Sequence, residues 1–224
     1  MYMFFVFIPN KKLIYLLKIG VEMIGVQQMV WEKIREMDRG SIFFIDDFIE
    51  LGSPGSVRIA LMDLNKQGLI IRPARGIYCY PRLQKEYSGI ITPTPESIAE
   101  ALAAKERVRI VPYGDNAAYR LGLTGIQVSN LRYLTDGASR TINLSGGKKI
   151  FFNHTSEVKI FDFCNETMQM ISAAIRVLTE ETLDAEKIRI IHKHLRSVPY
   201  DEFIKDITIP PAWVSKIIME IWNN

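Results

Sequence analysis

Cysteine is scarce in this 224-residue chain, which has only Cys79 and Cys164. Two cysteines without a CxxC spacing make neither a disulfide framework nor a zinc site, and they read as reduced thiols of a cytoplasmic protein. Histidine is rarer than its chemistry requires. His154 is isolated, and His192 and His194 stand two apart, so on a helix they do not share a face and cannot chelate one metal. No G-x-S-x-G or H-E-x-x-H occurs. Ser145-Gly146-Gly147-Lys148-Lys149 lacks the first glycine and the hydroxyl residue of a phosphate loop, and reads as a β-turn. Asp46-Asp47 is a carboxylate pair whose members point apart on a helix. No catalytic residue, metal ligand or cofactor is therefore expected, and the chain is not read as an enzyme. Long apolar runs are also missing. Met1–Ile8 and Leu13–Leu17 are separated by Pro9-Asn10-Lys11-Lys12, and neither approaches the ~20 residues of a membrane span. A secretory signal would carry its lysines before the apolar stretch rather than after it. Residues 1–25 are read as an uncertain extension: an extra packed element or, preferred here, an over-extended start, with Met23 and Met29 as internal starts.

Charge is sparse overall and uneven locally. The net charge of +3 is too small to identify a partner. Residues 51–87 carry six Lys or Arg against two Asp or Glu, whereas residues 157–224 carry eight against eleven. One basic region and an acidic C-terminal segment suit phosphate binding on one side of the molecule.

The pattern in the basic region is specific. Val26, Met29, Val30, Ile34 and Met37 recur at helical spacing. Ile42–Phe44 reads as a brief strand, and Asp46–Leu51 as a short second helix. Ser53-Pro54-Gly55-Ser56 supplies helix-start chemistry for a third helix, Val57–Gln67, which Gly68 stops. Leu69–Ile71 and Gly76–Tyr80 are β-rich and joined by Arg72-Pro73-Ala74-Arg75, a hairpin with a basic tip. This order, helix, strand, helix, turn, helix, hairpin, is that of a winged helix-turn-helix over residues 29–82. Such a domain lays its third helix in the major groove of DNA. Ser53, Ser56 and Arg58 at the start of that helix, Lys66 near its end, and Arg72 and Arg75 on the wing are the expected DNA-binding residues. Serines at a helix start suit phosphate oxygens, and Arg58 can pair with guanine. A winged helix that binds protein, or a stand-alone transcriptional regulator, is the alternative.

Beyond residue 88 the pattern mixes strands and helices. Glu96–Lys105 reads as a helix, Arg107–Pro112 as a strand and Asn116–Leu121 as a short helix. Leu131–Thr135, Arg140–Leu144 and Lys149–Asn153 read as strands, and four helices follow from Asn165. The fold class is α+β, an N-terminal winged helix-turn-helix (26–87) followed by a mixed α/β domain ending in helices (88–224). Trp213 with Ile217, and Ile218 with Trp222, stand four apart and are expected in a helix core.

Several of these residues resemble one family. Ser56-Val57-Arg58, Ala60-Leu61, Lys66-Gln67-Gly68-Leu69-Ile70 and Arg75-Gly76-Ile77-Tyr78 are similar to the N-terminal domain of abortive-infection E antitoxins. Leu121-Gly122-Leu123-Thr124 and Pro210-Pro211-Ala212-Trp213 resemble later segments of related proteins, so the likeness runs from about residue 29 to 215. The resemblance implies a type IV toxin–antitoxin system. Such an antitoxin represses its own operon by binding double-stranded operator DNA, and opposes a nucleotidyltransferase-like toxin without forming a stable complex with it.

Overall fold

Among the described residues two helices end in the same way, on a left-handed glycine whose own N–H and that of the next residue donate back to the last turn. The computed structural model describes residues 25–84, 89–125, 130–178 and 182–224. The expected extension at residues 1–25 lies, apart from Gly25, outside the described residues. The chain divides into two units, Met1–Ile98 and Ala99–Asn224, and mixes helices with short strands.

In the first unit α1 (Val26–Glu36) is followed by β1 (Ile42–Phe44). The short second helix expected at Asp46–Leu51 is present as a 3-10 helix, Ile45–Leu51, broken at Phe48 (φ −126°). Its side chains explain this: Phe48 turns into the core while Asp47 reaches back to accept the Phe44 N–H at 2.7 Å. Helix α2 runs from Pro54 to Lys66. It begins three residues before the first apolar position, because Ser53 Oγ accepts the Ser56 N–H at 3.2 Å and Pro54 sits where no N–H is needed. Gly68 (φ 73°) closes it: Gly68 N–H donates to Asn65 and Leu69 N–H to Leu64, a Schellman end. Strands β2 (Ile71–Ala74) and β3 (Ile77–Cys79) follow, then β4 (Arg82–Gln84) and β5 (Gly89–Ile91). The first three strands form one sheet in the order β1-β3-β2, antiparallel throughout. Pro73 is accommodated because β2 is an edge, and the register shifts between Ile71 and Ala74. Strands β4 and β5 pair with each other. Val30, Ile34, Phe43, Phe48, Leu61, Leu64 and Tyr78 form the core, with Phe43 edge-on to Phe48 at 5.5 Å.

In the second unit a four-stranded sheet has the order β6-β7-β9-β8. Its strands are β6 (Ile110–Pro112), β7 (Leu131–Thr135), β8 (Arg140–Asn143) and β9 (Lys149–His154). Strand β7 is antiparallel to β6 and parallel to β9, and β8 is antiparallel to β9. The helices are α3 (Pro95–Glu106), which carries the division between the units, α4 (Gly114–Arg120), α5 (Glu166–Ile175), α6 (Ala185–Leu195), α7 (Tyr200–Asp206) and α8 (Ala212–Asn223). Helices α4 to α8 share a core that includes Ala117, Met168, Ile171, Ile191, Phe203 and Ile218. Among the described residues no helix is long and apolar enough to cross a membrane.

The Leu121-Gly122-Leu123 segment is the second Schellman end. Gly122 (φ 74°) donates to Tyr119 and Leu123 to Ala118. Helix α3 ends on the same pair of bonds, Arg107 N–H to Ala104 and Val108 N–H to Ala103, but with arginine at the left-handed position (φ 56°). This is also why the strand expected from Arg107 begins only at Ile110. Arg107 is exposed, and a side chain at such a φ costs roughly 1 kcal/mol relative to glycine. Arg107→Gly is expected to stabilise the protein by about 1 kcal/mol, read as a higher urea midpoint. An unchanged or lower midpoint would refute the strain.

Candidate nucleic-acid interface

Helix α2 shows two different faces. Val57, Ala60, Leu61 and Leu64 are buried, while Arg58, Ile59, Met62 and Lys66 are exposed. Spanning 13 residues, at 1.5 Å each it is about 20 Å long. Ser53 and Arg58 therefore belong to one end and Lys66 to the other. Ser53 and Ser56 are committed to each other: their hydroxyls lie 2.8 Å apart and Ser53 also takes the Ser56 N–H. Their first role is to cap the helix, with phosphate a second use of the same oxygens. Lys66 is paired with Asp63 at 3.2 Å, an exposed pair worth at most about 1 kcal/mol.

The basic hairpin is shorter at its tip than the sequence predicts. Ala74 pairs with Ile77, so the turn is Arg75-Gly76 alone, with Gly76 at φ 77°. Arg75 sits on the turn and is exposed. Arg72, expected at the tip, lies within β2, exposed, with its guanidinium 5.8 Å from the Tyr78 ring. Between Gly52 and Gln84 the chain carries Arg58, Lys66, Arg72, Arg75 and Arg82 against one carboxylate, Asp63.

Two further arginines escaped sequence reasoning. Arg39 stacks on Tyr80 at 4.5 Å and donates to the Pro81 carbonyl at 3.1 Å. Arg82 Nε donates to the Arg39 carbonyl at 2.8 Å. Both are exposed and held by backbone oxygens, which leaves much of each guanidinium facing outward. The register places them at the end of the sheet away from Arg75, since Ile42 pairs with Cys79 and Phe44 with Ile77. No local pattern joins residues 43 positions apart.

The groups weighed for other chemistry have structural partners. Burial pushes the Cys79 thiol up to about 11, against a smaller opposing effect of Arg82. Cys164 is held above the usual thiol range, first by the hydrogen bond from its Sγ to Asp206 at 3.0 Å. His194 Nε2 lies 3.0 Å from the Leu121 carbonyl, His192 Nε2 accepts from Arg196, and His154 Nδ1 lies 2.9 Å from the Gly137 carbonyl. Asp206 is buried and accepts the backbone N–H groups of Cys164 and Asn165, each at 2.9 Å. Among the described residues no group of three His, Cys, Asp or Glu could hold a metal ion. A pocket in the second unit, lined by Val111, Tyr113, Gly114, Ser172 and Arg176, has a cavity volume of about 30 Å³, room for water only.

Residues 29–203 match the model of a family of unknown function, DUF6088, and the chain belongs to that family. No curated protein matches it.

Proposed function

We propose that the first unit is a winged helix-turn-helix and that the chain is a cytoplasmic, DNA-binding antitoxin of a type IV toxin–antitoxin system. It represses its own operon and opposes a nucleotidyltransferase-like toxin without holding it in a stable complex. The observation that carries the DNA part is the exposed face running from α2 to the β2–β3 turn. It carries Arg58, Lys66, Arg72 and Arg75 against a single carboxylate, Asp63, which Lys66 holds. The order of elements in the first unit and the β1-β3-β2 sheet support the winged-helix reading. In this reading α2 enters the major groove, Arg58 meets a guanine, and Arg72 and Arg75 clamp phosphates or enter the minor groove. The antitoxin part rests on the resemblance of the Gly68-Leu69 and Leu121-Gly122-Leu123 segments.

The test is binding to the DNA immediately upstream of the gene. Expected is an affinity well above that for random duplex, falling steeply with salt. Equal, salt-independent binding to both would refute the reading. The second reading, a module that binds protein, is favoured by Trp213, half-exposed at 50%, and by exposed Tyr200 and Ile204 on α7. Stable co-purification with the neighbouring gene product would favour it over the first.

A further inference from the structure

The outward face of α2 is not uniformly basic. Opposite Val57, Leu61 and Leu64, at 100° per residue, the face centres on Ile59 and Met62, with Arg58 to one side, Asp63 to the other and Lys66 beyond them. Ile59 is 62% exposed and Met62 39%. A lone apolar side chain on a surface needs no explanation. Two of them one turn apart, on a face that carries Arg58 on one side and the Lys66–Asp63 pair on the other, suit a ligand that is apolar at one spot and charged around it. An apolar peptide supplies only the first property. Duplex DNA supplies both, since the major groove offers one apolar group, the thymine C5-methyl, between two rows of phosphates. Ile59 suits such a contact because a β-branched side chain on a helix is held close to one rotamer, so little freedom is lost on docking.

We infer that Ile59, backed by Met62, contacts thymine methyl groups, making it a specificity-determining residue beside Arg58. The inference rests on the proposed reading of the first unit as a DNA-binding winged helix.

The test uses the full chain and short duplexes tiled across the DNA immediately upstream of its gene. In the tightest-binding duplex each thymine is replaced singly by deoxyuridine, which lacks only the methyl group. Binding is followed by fluorescence anisotropy. One or two replacements are expected to weaken the wild-type protein about three- to five-fold, the value of one methyl returned to water. Ile59→Ala is expected to bind thymine and deoxyuridine duplexes alike at those positions, while Arg75→Ala keeps the discrimination. Ile59 is exposed, so the variant should melt as the wild type does. Specific, salt-dependent binding that no deoxyuridine weakens, or an Ile59→Ala variant that still discriminates, overturns this inference alone. Failure to find any duplex bound better than random DNA overturns it together with the reading beneath it.

Discussion

Alanine at Arg58, Arg72 and Arg75 together is expected to lower affinity for the upstream DNA about a hundred-fold or more, since each such contact contributes about 1–3 kcal/mol. The salt dependence should change in a defined way. If Arg72 and Arg75 neutralise phosphates, losing them flattens the slope of log affinity against log salt by about two. Arg58, assigned to a base, should instead relax sequence preference. Fold should be preserved, because all three side chains are exposed. The largest packing loss is the contact of Arg72 with the Tyr78 ring. Lys66→Ala should matter much less, since Asp63 already holds that charge. A triple variant that binds as the wild type does would move the DNA surface elsewhere. Arg39 and Arg82, at the opposite end of the sheet, would then be the next pair to test.

The second large effect belongs to Asp206, which takes no part in the proposed DNA contacts. It is 1% exposed, and it joins the end of α7 to the start of α5. Its two oxygens accept the backbone N–H groups of Cys164 and Asn165, and one also takes the Cys164 thiol. Asp206→Ala leaves these donors without their acceptor, at a cost of about 3 kcal/mol, some of the lost bonding being offset because a buried charge no longer needs to be desolvated. The urea midpoint should fall accordingly. Cys164 provides a second readout with a definite sign. The hydrogen bond to Asp206 raises its pKa, so the native thiol is less ionised than usual at any pH below that value. Asp206→Asn removes the carboxylate charge while keeping the shape, and it should speed Cys164 alkylation near pH 8 under conditions where the protein stays folded. Normal stability in Asp206→Ala, or slower alkylation in Asp206→Asn, would show that this carboxylate does not hold the helices as described.

Much of the fold is legible where one local cause dominates. Helix α2 can be read from Ser53, Val57, Leu61, Leu64 and Gly68, because capping and periodicity act within one or two turns. The Gly-Leu pairs at residues 68–69 and 122–123 have a plain physical basis as helix ends of one geometry. The third such end carries Arg107, and sequence reasoning passed over it because only the backbone conformation marks it. The short helix at Ile45–Leu51 is legible, but its 3-10 pitch is not, because burial of Phe48, a tertiary demand, decides it. Strands β4 and β5 carry no alternation long enough to detect, at three residues each. Trp213 was expected in the core on its spacing with Ile217, yet the buried stripe of α8 is Val214, Ile218 and Ile221. Spacing fixes which residues share a face, and only packing chooses the face. The same holds for the candidate site. Residue type found Arg58, Arg72 and Arg75, whereas the pairing of Arg39 with Arg82 depends on a backbone carbonyl brought in from across the fold.

The strand order of the second unit also dictates a sequence of assembly. Within the sheet β8 pairs only with β9, and β9 lies between β7 and β8 although it is made last. Strands β6 and β7 can join as soon as both have left the ribosome. Strand β8 must wait, unpaired, until residues 149–154 arrive and insert beside it. A chain halted at Lys148 would lack both ladders that β9 makes. In hydrogen exchange, any opening that removes β9 should release the amides of β8 in the same event.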